Sequence, residues 1–563
     1  MPGPGPPVRT PGRQVSRTTT SNRENMSASP PAAPAATRNA WLGLVAISLG
    51  VSLVVVDFTI VNVIIPPIVT DLKMSSLGAQ WVQEIYAITL AALLLLAGRL
   101  SDVVGARRLF LIGTVVFGLA GVVAALAPTG AMLIGARLLQ GIGGAIVLPT
   151  SLALLNSTFH GRDRGKAFAI WGSTIGAAAA VGPFLGGWLG EASWRWAFAI
   201  NIVVVLMIIV GVLRYLAPSP AQPASLEVPS VVLSALGLGL LAFGLVEGRN
   251  YGWWESTRSS GPLGISLGSL SVVPVALAIA VISLTLFVLR QRQLARSATA
   301  EPLMDTALFA IGSFWSGNLA TVIIGLAEFG ILAVLPLWLQ FTLGYSTLQT
   351  GLMLVVVALG SFTASGASVG MAKQLPPVRL VQIGLVLEIV GLALLGLLVR
   401  DDSGWFVTAI GLFLYGTGVG FATAQVTNVV LADVPPRKAG QGSGIQSAAR
   451  QLGSALGIAI LTTAFFGILG SDTADRLRAA GFADTDRVAG AVADSAGAAI
   501  SGLAANPATE AAAVAARQAM TYAVRVNSYL CAALLLLGLV ATFLIPGKPG
   551  APGRAETAEP AAR

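Results

Sequence analysis

Four acidic residues lie inside long apolar runs of this 563-residue chain: Asp57, Glu84, Glu328 and Glu388. Two arginines, Arg137 and Arg450, are placed the same way. A charge in the middle of a membrane-crossing helix costs about 2.5–3.5 kcal/mol on insertion scales, so it needs a partner, a water-filled cavity or a proton. Asp57 is the clearest case, because the stretch "SLVVVDFTIVNVIIPP" (52–67) holds no other charge. Burial favours the neutral form of such a carboxyl and a nearby cation favours the charged form, so its natural chemistry is to take up and release a proton. The bland alternative is a static ion pair between helices. No constellation for bond-making competes with either reading. The chain has no G-x-x-x-x-G-K-[ST] phosphate loop, no Cys/His metal cluster and no G-x-S-x-G elbow. An enzyme, a metal site and an ATP-driven pump are therefore not expected.

The elements that must position these residues are legible in the composition. The chain is 55% hydrophobic and 10% charged, against about 25% charged in ordinary globular proteins. Most of it must face lipid. The single cysteine, Cys531, excludes an intrachain disulfide. Crossing a bilayer takes about 20 apolar residues, and fourteen such runs occur. The first six are 41–65, 80–100, 109–127, 131–152, 167–189 and 197–216; two more are 229–246 and 263–288. The last six are 311–340, 348–371, 378–399, 405–431, 441–469 and 521–545. Basic residues gather in the loops after even-numbered spans, as with Arg107, Arg108, Arg164, Lys166, Arg290, Lys373, Arg379, Arg437 and Lys438. By the positive-inside rule these loops and both termini are cytoplasmic. Topology thus explains the net charge of +9 better than nucleic-acid binding does. Only 5 of the 34 basic residues are Lys, which fits a GC-rich bacterial coding sequence and hence a bacterial plasma membrane. A Pro-, Ser-, Thr- and Arg-rich stretch at 1–38 reads as a disordered tail.

The spans repeat. Gly141, Gly143, Gly165 and Gly182 each meet a glycine 275 residues on: Gly416, Gly418, Gly440 and Gly457. "DFTIVNV" (57–63) fits "EFGILAV" (328–334) at an offset of 271, which pairs Asp57 with Glu328. The organisation expected is a six-helix half (39–217), two inserted helices (218–300) and a second six-helix half (301–545). An outer segment at 471–520, partly helical or disordered, and a tail at 546–563 complete it.

Three stretches carry a family likeness. "GRLSDVVGARRLFL" (98–111) holds Gly98, Asp102, Gly105, Arg107 and Arg108. "LIGARLLQGIGGAIVLP" (133–149) buries Arg137, and "GSTIGAAAAVGPFLGGWL" (172–189) holds Gly182, Pro183, Gly186 and Gly187. They resemble the loop 2–3, span-4 and antiporter motifs of the major facilitator superfamily. Asp57 with "TIVN", "WRWAFAIN" (194–201) and "GIQSAARQLGSALGIAI" (444–460) are similar to its fourteen-span drug:proton antiporters. Departures include Val103, Ala106, Ala178, Val203 and Gln374.

The resemblance implies an all-α polytopic membrane protein of the major-facilitator fold, with fourteen helices as two six-helix halves plus two inserted ones. It implies export of a small hydrophobic, cationic compound by alternating access, driven by the proton gradient with no cofactor. A dedicated exporter of one secondary metabolite or lipid, or a proton-coupled importer, are the alternatives. Asp57, and Glu328 in the second half, would exchange a proton for substrate on a central cavity, with Glu388 a further candidate. Arg137 would tune the exchange, and Arg450 reads as structural. The 98–108 loop would gate. Gly182-Pro183 would kink span 5, and Gly186 and Gly187 would let another backbone pack close. Partners expected are the bilayer, the substrate and protons, with the protein acting as a monomer.

Overall fold

The structure is a computed structural model. It describes residues 1, 3 and 5, and 37–545 apart from 75, 222–225, 258–266, 297–300 and 372–373. Nearly all of the expected tail 1–38, all of 546–563, and Lys373 lie outside the described residues.

Six long helices come first: α1 (Arg38–Leu72), α2 (Ser76–Val104), α3 (Ala106–Ala125), α4 (Gly130–Thr158), α5 (Gly161–Ala192) and α6 (Arg195–Tyr215). Two follow, α7 (Val228–Tyr251) and α8 (Val272–Arg296). Then come α9 (Gly312–Phe341), α10 (Thr347–Met371), α11 (Pro377–Leu398), α12 (Trp405–Val430) and α13 (Ala439–Ala479). Two short helices, α14 (Thr485–Asp494) and α15 (Ala499–Ala504), lead to α16 (Glu510–Thr542). Local chemistry sets many boundaries. Thr37 and Thr129 cap α1 and α4 with their hydroxyls, Pro377 opens α11, and Lys73 closes α1 at φ 48°. The α2–α3 turn is a single residue, Gly105, at φ 92°, where a side chain would also press on the Ser219 carbonyl. Among the described residues, fourteen helices are long and apolar enough to cross a membrane.

The repeat is visible in the packing. α1 packs on α5 and α6, α4 on α2 and α3, and α3 on α6. In the second block α9 packs on α13 and α16, α12 on α10 and α11, and α11 on α16. The paired glycines explain the match, since all but Gly165 lie where two backbones cross. A Cβ on Gly141 would crowd the Tyr86 carbonyl of α2, and one on Gly416 the Val357 carbonyl of α10. Gly143 and Gly418 do the same against α3 and α11, and Gly182 and Gly457 against α1 and α9. The halves meet where α2 packs on α13 and α5 on α10, while α7 lies on α2 and α13 with α8 behind it. Apolar side chains face outward on α6 (Val203, Leu206, Val210, Leu213) and α8 (Val281, Ile282, Leu286, Leu289). Their three-to-four-residue spacing is the stripe a helix turns towards lipid.

Two expectations shift. The eighth span starts at Val272 rather than 263, because Gly268 adopts φ 72° and Glu255 bridges Leu270 in a small turn before Ser271 caps the helix. The outer segment 471–520 is largely helical. α13 runs 41 residues, about 60 Å at the α-helical rise, twice a bilayer core of about 30 Å. Leu477 packs against Ala512 and Ala515, while Val492, Ile500 and Met520 are buried in the main core. Trp338 of α9 ties this end to α16 by donating to Thr521 Oγ1 at 3.1 Å.

Candidate functional site

Asp57, near the middle of α1, is completely buried. The sequence reading sets it on a central cavity, but here it is enclosed. Arg137 of α4 forms an ion pair with its Oδ2, and Gln140 and Asn201 donate to its Oδ1 at 2.9 and 2.8 Å. Arg137 and Gln140 share one helix face because they are three residues apart, and their side chains also bond to each other at 2.9 Å. Arg137 Nε donates to the Val82 carbonyl of α2 at 3.0 Å, and its guanidinium lies 4.3 Å from the centre of the Tyr86 ring. Arg137 Nη2 has no hydrogen-bond partner among the described residues. Tyr86 in turn donates to the Val54 carbonyl of α1 at 3.1 Å. One carboxylate thus joins α1, α4 and α6, and its arginine adds α2. Gln140 and Asn201 went unassigned in the sequence, although both stand inside quoted stretches. What hid them is that neither carries a charge.

The second half holds a related but unequal site. Glu328 of α9 is 3% exposed; it accepts from Thr423 of α12 at 2.6 Å and pairs with Arg450 of α13 at 3.3 Å. The buried Tyr415 hydroxyl donates to the Glu328 backbone carbonyl at 3.3 Å. Leu412 stands where a counterpart of Arg137 would, so the arginine comes from another helix. Arg450, which the sequence reads as structural, sits beside Glu328, and the repeat offers no arginine at its position in α5. Glu388 of α11 lies close enough to feel the charges of Glu328 and Arg450. Glu84, half-buried, accepts from Asn250 of α7 at 3.4 Å. Trp81 stacks on Phe243 of α7, and Trp171 donates to Ser151, so both serve packing.

The loop motif closes one end of the bundle, the face that carries the basic loops. Asp102 accepts from the backbone N–H of Gly440 (2.7 Å) and Gln441 (2.9 Å), the first turn of α13. A carboxylate there satisfies orphan donors and faces the positive end of the helix dipole. Gly98 and Gly444 let the backbones touch: a Cβ on Gly98 would sit 2.7 Å from Gly444 Cα. Arg107 donates to the Val212 and Leu213 carbonyls at the end of α6, while Arg108 is exposed. Arg164 of α5 reaches the carbonyls of Asn428, in the last turn of α12, and of Ala432 just beyond it.

A connector at 301–310 joins the same end. Glu301 pairs with Arg99 of α2, and Asp305 pairs with Lys438. The Asp305 N–H donates to Gln441 Oε1 at 2.9 Å, and the Met304 N–H to Gln291 of α8 at 3.1 Å. Gln291 donates to Ser230 of α7, whose N–H is capped by Glu227. Burial works against the Asp305 carboxylate, but Lys438 and the Ala307 N–H outweigh it and hold the group below the usual range. Because the folded value is depressed, the stability this group adds is complete above the ordinary carboxylate pKa of about 3.9 and is lost as pH falls through the lowered value.

The antiporter motif lies in α5, where Pro183 sits within the helix. Gly182 and Gly186 face α1: side chains there would run into Thr59 and the Ile60 carbonyl. Gly187 does not share this role. Nothing lies within 4 Å of a Cβ built on it, because it points away from α1. Accordingly Gly187→Ala should leave thermal stability and transport at wild-type levels. Gly182→Leu should lower the melting temperature by forcing α1 and α5 apart, an overpacking cost of about 1–3 kcal/mol. Equal melting temperatures for the two variants would remove Gly182 from the crossing.

Comparison with known proteins agrees with this architecture. The sequence pattern of the Major Facilitator Superfamily matches residues 47–458. The puromycin resistance protein pur8 of Streptomyces alboniger is 33% identical over 451 residues, covering 77% of this chain and 84% of that protein. The multidrug efflux pump LfrA of Mycolicibacterium smegmatis is 32% identical, covering 77% and 82%. Among solved structures, the human organic anion transporter MFSD10 (TETRAN) superposes with a TM-score of 0.55 over 90% of this chain and all of that one, at 15% identity. The proton:xylose symporter XylE gives 0.51 over 82% and 95%, also at 15% identity. The fourteen apolar helices among the described residues, six in each related half and two inserted between them, the motif contacts and these matches together make the chain a membrane transporter of the major facilitator superfamily, not an enzyme.

Proposed function

We propose that this protein exports a small hydrophobic molecule from the cytoplasm across a bacterial plasma membrane, in exchange for protons moving inward. The observation that carries the reading is the enclosed Asp57–Arg137 pair, tied to four helices of one half. Protonating Asp57 removes the charge that Arg137 and its neighbours hold, which loosens α1 from α4 and α6. Glu328 with Arg450 acts in the same way in the second half. Substrate and proton then compete for these carboxyls, and the halves rock about the site between them. The names of pur8 and LfrA, a resistance protein and an efflux pump, support the outward direction. The basic loops support a cytoplasmic position for the end closed by Asp102, so the conformation described is shut on that side. Asp57 and Glu328 each hold an arginine, so a cationic substrate must displace a guanidinium. An uncharged or acidic compound, as for a dedicated metabolite exporter, is the second reading this pairing favours.

The test is ethidium accumulation in inverted vesicles energised by a proton gradient. Uptake is expected, it should collapse with a proton uncoupler, and Glu328→Gln should slow it at least tenfold. Uptake that survives the uncoupler would refute proton coupling.

A further inference from the structure

Glu388 sits midway along α11 and is wholly buried. Neither of its carboxyl oxygens has a hydrogen-bond partner among the described residues. Its stem occupies a slot that exists because residue 418 is glycine: a Cβ on Gly418 would lie 2.5 Å from Glu388 Cγ. The ionisable groups around it come from every neighbouring element. They are Tyr415 of α12, Glu328 of α9, Arg450 of α13, and the buried Cys531 of α16, which lies close to Tyr415. Arg525 of α16 is turned elsewhere, to the Gly396 carbonyl at the far end of α11.

Packing does not call for an acid here. Thirty residues before Gly418 stands Glu388, and thirty before Gly143, its partner in the repeat, stands Gly113. The equivalent crossing in the first half is made with glycine on both sides. The charge balance is more telling. Two carboxyls, Glu328 and Glu388, lie within electrostatic reach of one guanidinium, and only Glu328 touches it. Glu328 has both Arg450 and the Thr423 hydroxyl, while Glu388 has neither. A bare carboxylate without a hydrogen bond in an apolar interior is far costlier than the neutral acid.

We infer that Glu388 is a second proton-binding group of the transport cycle: Glu328 and Glu388 share Arg450 and one proton, which Glu388 holds in the conformation described. The inference rests on the antiport reading above. When Glu328 takes a proton, Arg450 is released. The proton that Glu328 takes is the one on Glu388, whose carboxylate then takes over the guanidinium, so the charge of the cluster is conserved at each exchange.

The measurement is infrared difference spectroscopy of the purified full-length protein, which sees the carbonyl stretch of a protonated carboxylic acid directly. A band should be present in wild type and absent in Glu388→Gln. It should also be lost in Glu328→Gln, because Arg450 is then free to hold Glu388 as a carboxylate. A merely structural acid would keep its band in Glu328→Gln. A wild-type spectrum unchanged by Glu388→Gln, or a band that survives Glu328→Gln, overturns the proposal. Failure of the antiport reading shows up separately, as ethidium uptake indifferent to uncoupler, and leaves the spectra to decide whether the two carboxyls share the proton.

Discussion

Asp57→Asn should abolish uncoupler-sensitive ethidium uptake and also destabilise the folded protein severely. Removing one partner of a buried ion pair leaves the other charge stranded, typically at about 3–5 kcal/mol. Arg137 cannot escape to water, because its side chain is wholly buried. The substituted amide would also face the two side-chain amides, of Gln140 and Asn201, that now donate to Oδ1. The double variant Asp57→Asn/Arg137→Gln removes both charges, so it should recover much of the lost melting temperature in detergent. It should not recover transport, since nothing in the first half then binds a proton. That split separates a proton site from a static strut. A single variant as stable as wild type would mean the pair holds little, and a double variant that still pumps would remove it from coupling.

Asp102→Asn should open the closed end. Its carboxylate accepts from two N–H groups in the first turn of α13, and charge at a partly buried helix terminus contributes up to about 2 kcal/mol. Losing about 1.4 kcal/mol of that raises the open population about tenfold. The contact runs between the two halves, so the fold within each half should be untouched. A cysteine at the buried Ser447, in a Cys531→Ala background, should react with a cytoplasmic maleimide about ten times faster in Asp102→Asn, at an unchanged melting temperature. Equal labelling rates would mean that Asp102 does not govern closure.

Much of this was legible in the sequence, for reasons that differ by residue. Apolar length alone revealed the fourteen spans, because lipid imposes it on each helix independently. The glycine repeat revealed the crossings, because only glycine tolerates the contact of Gly457 with the Leu326 carbonyl or of Gly416 with Val357. Asp57, Glu328 and Arg137 stood out by the cost of their charge. Partners without charge did not: Gln140, Asn201 and Thr423 are ordinary residues until the fold brings three helices together. The seat of Arg450 beside Glu328 does not show in the repeat, because the two halves place an arginine on different helices. Gly187 was overvalued because a motif marks a stretch, whereas helical rotation decides which of its glycines meets a neighbour. The outer segment reads only as partly helical or disordered, because alanines form helix or coil according to what they pack on.

The connector at 301–310 gives the inserted pair a mechanical meaning. It is pinned at three points: to Arg99 on the first half, to Lys438 and Gln441 on the second, and to Gln291 on α8. Three pins make a rigid truss, so the bundle can hinge at this end only if one pin is drawn. The pin at Glu301 is 65% exposed and that at Asp305 12%, so water replaces the first far more cheaply. Helices α7 and α8 then straddle the seam: α7 is held to α2 by Trp81 and Glu84 while α8 is held to the connector by Gln291, so the inserted pair is a brace that limits how far the halves can part.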